Sequence, residues 1–362
     1  MRTHNIDSKK TALFTDIHYG AMDADKEKGL VHNMDNDAFI DHFVESVKAD
    51  PEIDSICMLG DWNQHRTAIN LHTLKYAYEG MKKLDELGMP IYIILGNHDL
   101  YKKNDRTIHS LCFFEQFDNV VVFEDPTVMK QKNKKFKDVL MCPFLMHGEE
   151  TELMQFLSVP LWFGHFEFNG YDVTGYGMQM TGGIDPKLFS QPDLILSGHF
   201  HKRQRASKGK NICYIGNPFP TNYGDAGDED RGFCTYDFRT NKLEFFEWDG
   251  APKYVKTTLS AILDGEVTID EQCYVKCIVD QKITYEESAA LQKDLKELYN
   301  PRTFSLEESV ELLELVTDTE STKDYTNDDM ATVDDMVVEM LTDVESDSLD
   351  NEVLIAIYKG LQ

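Results

Sequence analysis

Three observations predict an α/β fold with one large domain and a smaller one behind it. Short apolar runs rich in β-branched residues are bounded by turn residues, helical repeats separate the early runs, and from Ile212 onward strands follow one another without helices. The runs at residues 12–15, 55–59, 91–95, 120–123, 139–142, 161–163 and 194–197 read as buried strands. Residues 37–49 and 71–87 carry apolar side chains at three- and four-residue spacing, the pattern of helices covering a mainly parallel sheet. Residues 232–238 and 242–248 read as a hairpin.

The larger domain is expected at residues 1–250. A small α/β domain follows at 251–300, with a strand at 274–280 and a helix at 285–298. An acidic linker is expected at 301–328 and a helical hairpin at 329–362. Its first helix places Val333, Met336, Val337, Met340 and Leu341 on one face, and its second Val353, Leu354, Ile357 and Leu361. A hairpin this small cannot bury both faces alone, so it packs on the body or binds a partner.

The chain has 362 residues, 41% hydrophobic and 28% charged, with no apolar run long enough to cross a bilayer. Membrane function is excluded on that reading. The polar first ten residues lack the basic start and apolar centre of a secretory signal, and a cytoplasmic location is expected. Seven scattered cysteines without a Cys-x-x-Cys pair read as reduced core residues. The formal charge of −28 argues at first against a nucleic-acid partner. However, residues 301–362 hold 17 acidic and 3 basic residues, so half of the excess lies in the tail. Basic residues cluster elsewhere, at Lys130, Lys132, Lys134, Lys135 and Lys137 and at Lys202, Arg203, Arg205, Lys208 and Lys210. Both groups read as solvated loops, with DNA contact an equal alternative for the second.

The chemistry-bearing residues fall at the carboxyl ends of predicted strands, where open α/β sheets place their ligand sites. Asp16-Ile17-His18 follows the first, Gly60-Asp61 the second and Gly96-Asn97-His98-Asp99 the third; Gly164-His165 and Gly198-His199-Phe200-His201 follow later ones. Any one segment is weak, since a lone histidine is usually structural. Together they offer seven oxygen and nitrogen donors, more than one zinc needs and suited to two divalent ions sharing a carboxylate.

This ordered set resembles the calcineurin-like metallophosphoesterase superfamily. The resemblance implies a β-sandwich flanked by helices, with the small α/β part as a capping domain and a C-terminal helical extension. It also implies a first metal held by Asp16, His18 and His201, a second by Asn97, His165 and His199, and Asp61 bridging them. Two such ions bind phosphate oxygens, neutralise developing charge and acidify a water. His98, beside a ligand yet not needed as one, is expected to be the catalytic acid that protonates the leaving oxygen. The alternative is that it only orients Asn97 or Asp99.

Superfamily membership alone leaves phosphatases, nucleotide phosphodiesterases and nucleases open. The segments Leu59-Gly60-Asp61, Trp162 through Gly170, Ser197 through His201, Tyr214-Ile215-Gly216-Asn217-Pro218 and Asp230-Arg231-Gly232-Phe233 resemble SbcD-type DNA repair nucleases, in particular those of T-even-like phages. This implies a manganese-dependent nuclease, with magnesium an alternative, acting as an exonuclease on double-strand ends and an endonuclease on single strands. It also implies DNA as substrate, an SMC-like ATPase of SbcC type bound through the C-terminal helices, a homodimer, and a host cytoplasm if phage-encoded. The sequence departs from the cellular pattern three residues after Asp61. Gln64 stands where those nucleases carry a phosphate-positioning histidine, and His65 one step on is the candidate DNA contact or a surface histidine. Lys202, Arg203 and Arg205 are the other candidate DNA contacts. The rival reading is a cytoplasmic metallophosphatase or small-substrate phosphodiesterase.

Overall fold

The computed structural model describes residues 2–22, 26–173, 178–205 and 211–308. The expected hairpin at 329–362, most of the linker, Lys208 and Lys210 lie outside them.

Two six-stranded mixed sheets pack face to face. One runs in the order Lys242–Glu247, Gly232–Asp237, Lys10–Phe14, Ser55–Met58, Ile91–Ile94 and Val120–Phe123, parallel except at the Gly232–Asp237 strand, which pairs antiparallel on both sides. The other runs Arg2–Ile6, Thr127–Gln131, Val139–Cys142, Leu161–His165, Leu194–Gly198 and Ile212–Tyr214, with one antiparallel pair at its second junction. Side chains alternate across a strand, so each buried strand feeds two cores. Leu13, Cys57, Tyr92 and Ile94 meet Val139, Met141, Leu161 and Phe163 between the sheets. Phe14, Ile56, Met58 and Ile93 face the other way, onto α1 (Lys26–Ala49) and α2 (Leu71–Asp85). Leu140, Trp162 and Ile195 build a third core on the far face of the second sheet.

α1 begins 11 residues before the expected start at 37, because Asn33, His32 and Asn36 are buried polar residues that break the apolar periodicity there. Several strands went unread, among them Arg2–Ile6, Leu100–Lys102, Asp105–His109, Thr127–Gln131, Lys253–Thr258 and Thr303–Glu308. Arg2–Ile6 is a polar edge strand whose partner, Thr127–Gln131, is remote in sequence. Beyond residue 250, the strands Lys253–Thr258, Cys273–Val279 and Thr303–Glu308 form a three-stranded sheet with α3 (Leu259–Leu263) and α4 (Tyr285–Tyr299). The third strand occupies residues expected to begin the linker, since Phe304 packs with Val275 and Cys277 in a separate core. α4 starts at a reciprocal cap between Thr284 and Glu287. Arg302 ties this sheet to α1 through Asp35, at 2.6 Å.

Six of the cysteines are buried and none is paired, while Cys112 is exposed and so departs from the expected core role. Among the described residues no helix is long and apolar enough to cross a membrane.

Candidate metal centre

All seven predicted donors come from the carboxyl ends of five parallel strands, three in one sheet and two in the other. The backbone ties the first two of these strand ends together: Asp16 N donates to Gly60 O at 3.0 Å and His18 N to Asp61 O at 3.1 Å. His199 N donates to Asp16 Oδ2 at 3.0 Å, joining the two sheets. Four of the donors, Asp16, His18, Asp61 and His199, have φ between +52° and +91°. Left-handed backbone at a residue with a side chain costs about 1–2 kcal/mol and persists only where surroundings over-determine it. Two glycines make room. A Cβ on Gly96 would lie 2.1 Å from Asp61 Oδ1, and one on Gly198 2.1 Å from Thr15 Oγ1.

The side chains converge in overlapping groups: Asp16, His18 and His201; His18, Asp61 and His98; and Asp61, His165 and His199. Asp61 belongs to two of them, with His165 Nε2 at 3.3 Å and His18 Nε2 at 3.7 Å from its Oδ2. Asn97 Oδ1 faces His199 Nδ1 at 2.8 Å and His165 Nε2 at 3.1 Å. His18 Nε2 and His201 Nε2 stand 3.1 Å apart. Two donors about 2.1 Å from one octahedral ion are separated by about 3 Å, so these spacings fit divalent ions. The donor set, two carboxylates with an amide oxygen and four imidazoles, fits them as well. His165 Nδ1 donates to the Leu59 carbonyl at 2.7 Å, which leaves Nε2 as its ligating atom.

The electrostatics show how the site balances its charge before any cation binds. Burial opposes ionisation of Asp61, yet His165, His18 and His98 outweigh it and hold its pKa well below the carboxylate range. Burial also disfavours the charged form of His165, but Asp61 and Asp16 raise it to about 9. Burial and neighbouring histidines lower His199 to about 3 and His201 to about 4. The centre therefore has a seat for positive charge between Asp61 and His165 and neutral imidazoles on either side.

Asp99 lies beneath, wholly buried, and was not assigned a task from sequence. It accepts from Asp61 N at 2.8 Å, Gly96 N at 2.9 Å, Trp62 N at 3.1 Å and Asn63 N at 3.3 Å. Burial and the charge of Asp61 raise its pKa to about 7. Beside the centre, Asn217 N donates to His201 O at 3.0 Å, and Arg231, 2% exposed, binds Asn217, Asp225 and Asp228. The sequence signal for both was their presence in the quoted segments, without a role.

The remaining candidates are placed differently. His98 Nδ1 donates to the Gln64 carbonyl at 2.8 Å, so Nε2 is the free nitrogen, and its ring stands edge-on to His18 at 4.9 Å. Burial lowers its pKa, with Asp61 opposing. His65 is exposed on the neighbouring loop. Lys202 pairs with Asp172 at 3.5 Å, and Arg203 lies over the Phe245 ring at 4.2 Å with 13% of its side chain exposed. Arg205 is exposed and reaches the Cys213 thiol. In the first basic group Lys130, Lys132 and Lys137 each face a carboxylate.

Residues 9–203, which include every one of the seven donors, match the family described as calcineurin-like phosphoesterase. The chain belongs to this family. It is a metallophosphoesterase, and the donors described are its candidates for holding divalent metal. It is also 31% identical over 194 residues to Exonuclease subunit 1 of Enterobacteria phage T4, a match covering 51% of this chain and 53% of that protein. The chain thus matches about half the length of this curated relative. A solved structure, that of the Pseudomonas putida nuclease MPE, is similar over 65% of this chain and 87% of its own, at 12% identity and a TM-score of 0.28.

Proposed function

We propose that this metallophosphoesterase is a DNA nuclease, the nuclease subunit of an SMC-like ATPase complex acting in recombination, repair or DNA degradation in the cytoplasm. The observation that carries the chemistry is the convergence of seven donors around Asp61; likeness to a phage exonuclease subunit supports DNA as the substrate. In this reading Asp16, His18 and His201 would hold one ion, Asn97, His165 and His199 the other, and Asp61 would be shared between them. Bound there, divalent ions, manganese in the first instance, would supply Lewis-acid polarisation of the phosphate and an acidified water.

The protein's own share is position and proton transfer. The carbonyl of Gln64 holds the Nδ1–H of His98, so Nε2 faces the leaving oxygen, and the imidazolium form, which carries a second proton on Nε2, gives that proton up and returns to the neutral ring. The backbone N–H of His98 donates to Asp61 Oδ1 at 2.8 Å, which ties the acid to the bridging carboxylate. The exposed His65 is assigned phosphate contact in this reading, with Lys202, Arg203 and Arg205 as further DNA contacts. Exonuclease action on double-strand ends and endonuclease action on single strands, ATPase docking through residues 329–362, and a capping role for residues 251–308 belong to the same proposal.

Degradation of linear duplex DNA with manganese tests it. His98→Ala is expected to lower the rate roughly 10²–10⁴-fold, and an ATPase partner with ATP to enhance wild-type cutting. No cutting of DNA alongside rapid turnover of a simple phosphodiester would replace this reading with a small-substrate phosphodiesterase.

A homodimer is proposed through α1 and α2. Leu30 and Met34 on α1, and Leu71, Leu74 and Tyr78 on α2, are exposed at helical spacing, Leu71 by 85%. Asn33 binds Thr73 at 2.9 Å, which holds the two helices against each other. Exposed apolar rows of this kind mark an association surface. Replacing Leu71 and Leu74 together by glutamate is expected to halve the mass seen by light scattering. An unchanged dimer mass would place the interface elsewhere.

A further inference from the structure

A pocket of about 330 Å³ opens beside the metal centre and shares His165 with it. That volume is at the small end of ligand sites, which run roughly 300–1,000 Å³. Its apolar walls are Leu145, Met146, Ile184 and Leu188 with the Phe144 ring, while Phe166, 1% exposed, backs them from the core. The Phe144 ring lies 6.2 Å from that of His165 and 5.8 Å from that of His199, so the wall continues from the imidazoles. Three carboxylates, Glu150, Glu167 and Asp185, also line it, and Glu167 Oε2 reaches to 3.7 Å from His199 Nε2. Among the described residues no lysine or arginine does so, and the imidazoles of His147 and His165 complete the polar lining.

This combination rejects one part of a nucleic acid and accepts another. The carboxylates repel phosphate, which is left to the metal side of His165. A flat ring finds an apolar slot, and acceptors at the rim match amino-group donors on its edge. We propose that the pocket receives the nucleobase next to the scissile phosphate, turned out of its stack, and favours bases bearing an exocyclic amine. The inference rests on the nuclease reading and deepens it by naming a base-recognition subsite. Unstacking costs least in single strands, so the pocket would favour frayed or single-stranded ends.

Binding to the manganese-loaded full chain, measured by calorimetry, tests the pocket without requiring turnover. Deoxyadenosine 5′-monophosphate is expected to bind roughly tenfold tighter than 2-deoxyribose 5-phosphate, the increment one base–aromatic contact supplies. Thymidine monophosphate, lacking the amine, should fall between them. Leu188→Trp, which fills the slot, should bring the two dissociation constants within twofold of each other. Equal binding of the two probes by wild type, or a ratio unmoved by Leu188→Trp, would overturn the subsite. Thymidine monophosphate binding as tightly as the adenine nucleotide would remove the role of the carboxylates. DNA cleavage without base preference would sink the subsite alone, whereas base preference without DNA cleavage would sink the nuclease reading and leave a mononucleotide-ester site.

Discussion

Asp61→Ala is expected to abolish hydrolysis of any phosphodiester, with a loss of at least about 10³-fold, and to reduce bound metal from two ions per chain to one or none. Asp61 is the only carboxylate shared by two of the donor groups at the centre, and its Oδ2 faces histidines assigned to different ions. Losing a developing-charge stabiliser of this kind costs several kcal/mol, and each 1.36 kcal/mol is tenfold in rate. Metal content by mass spectrometry and turnover of a chromogenic diester are the paired readouts. Two retained ions with unchanged turnover would refute bridging by Asp61. Chelation supplies a control, because a ligand at 100 times its dissociation constant stabilises the fold by about 2.7 kcal/mol. Wild-type melting should drop on chelation, and that of Asp61→Ala should move less.

Asp99→Ala has the largest expected effect on the fold. Four backbone N–H groups, those of Asp61, Trp62, Asn63 and Gly96, donate to its two oxygens in a site closed to water. Each orphaned buried donor costs about 1–3 kcal/mol. Even with partial relaxation the total is on the order of 4–8 kcal/mol, comparable to the whole stability of a typical domain, roughly 5–15 kcal/mol. The variant should therefore unfold at low urea or fail to accumulate. Asp99→Asn separates the hydrogen bonds from the volume: its oxygen still serves Trp62 and Asn63, while its amide nitrogen opposes the donors of Asp61 and Gly96. An intermediate loss of roughly 2–4 kcal/mol is expected in urea titrations. A loss under 1 kcal/mol would mean that Asp99 is not the anchor of the two loops.

Most of the donor set was legible in the sequence because its signals are local. Each of the seven donors lies within four residues of a strand end, and apolar runs bounded by turns identify those ends. The strands at 120–123 and 139–142 coincide with Val120–Phe123 and Val139–Cys142, since the first is wholly β-branched or aromatic and the second wholly buried, so both faces are apolar and their extent is little in doubt. Arg2–Ile6 carried no such signal, since its residues are mostly exposed and, among the described residues, it pairs only with Thr127–Gln131. Arg203 carried no local signal for its surroundings either: the fold lays its guanidinium over Phe245, a residue 42 positions on.

By itself the sequence determined the class of chemistry, through the types of donor and their order along the chain, and the layered α/β fold, through the periodicity of apolar residues. Only the tertiary structure decided which donors meet. The contact of Asp16 with His199 spans 183 residues, and that of Asp61 with His165 depends on how two separate sheets pack. Spacing along a strand fixes a side chain's face, but not the side chain that arrives opposite it. The left-handed backbone at four donors and the burial of Asp99 under four N–H groups follow from that packing. So does the base-sized pocket beside His165, because its walls come from segments that no local pattern brings together.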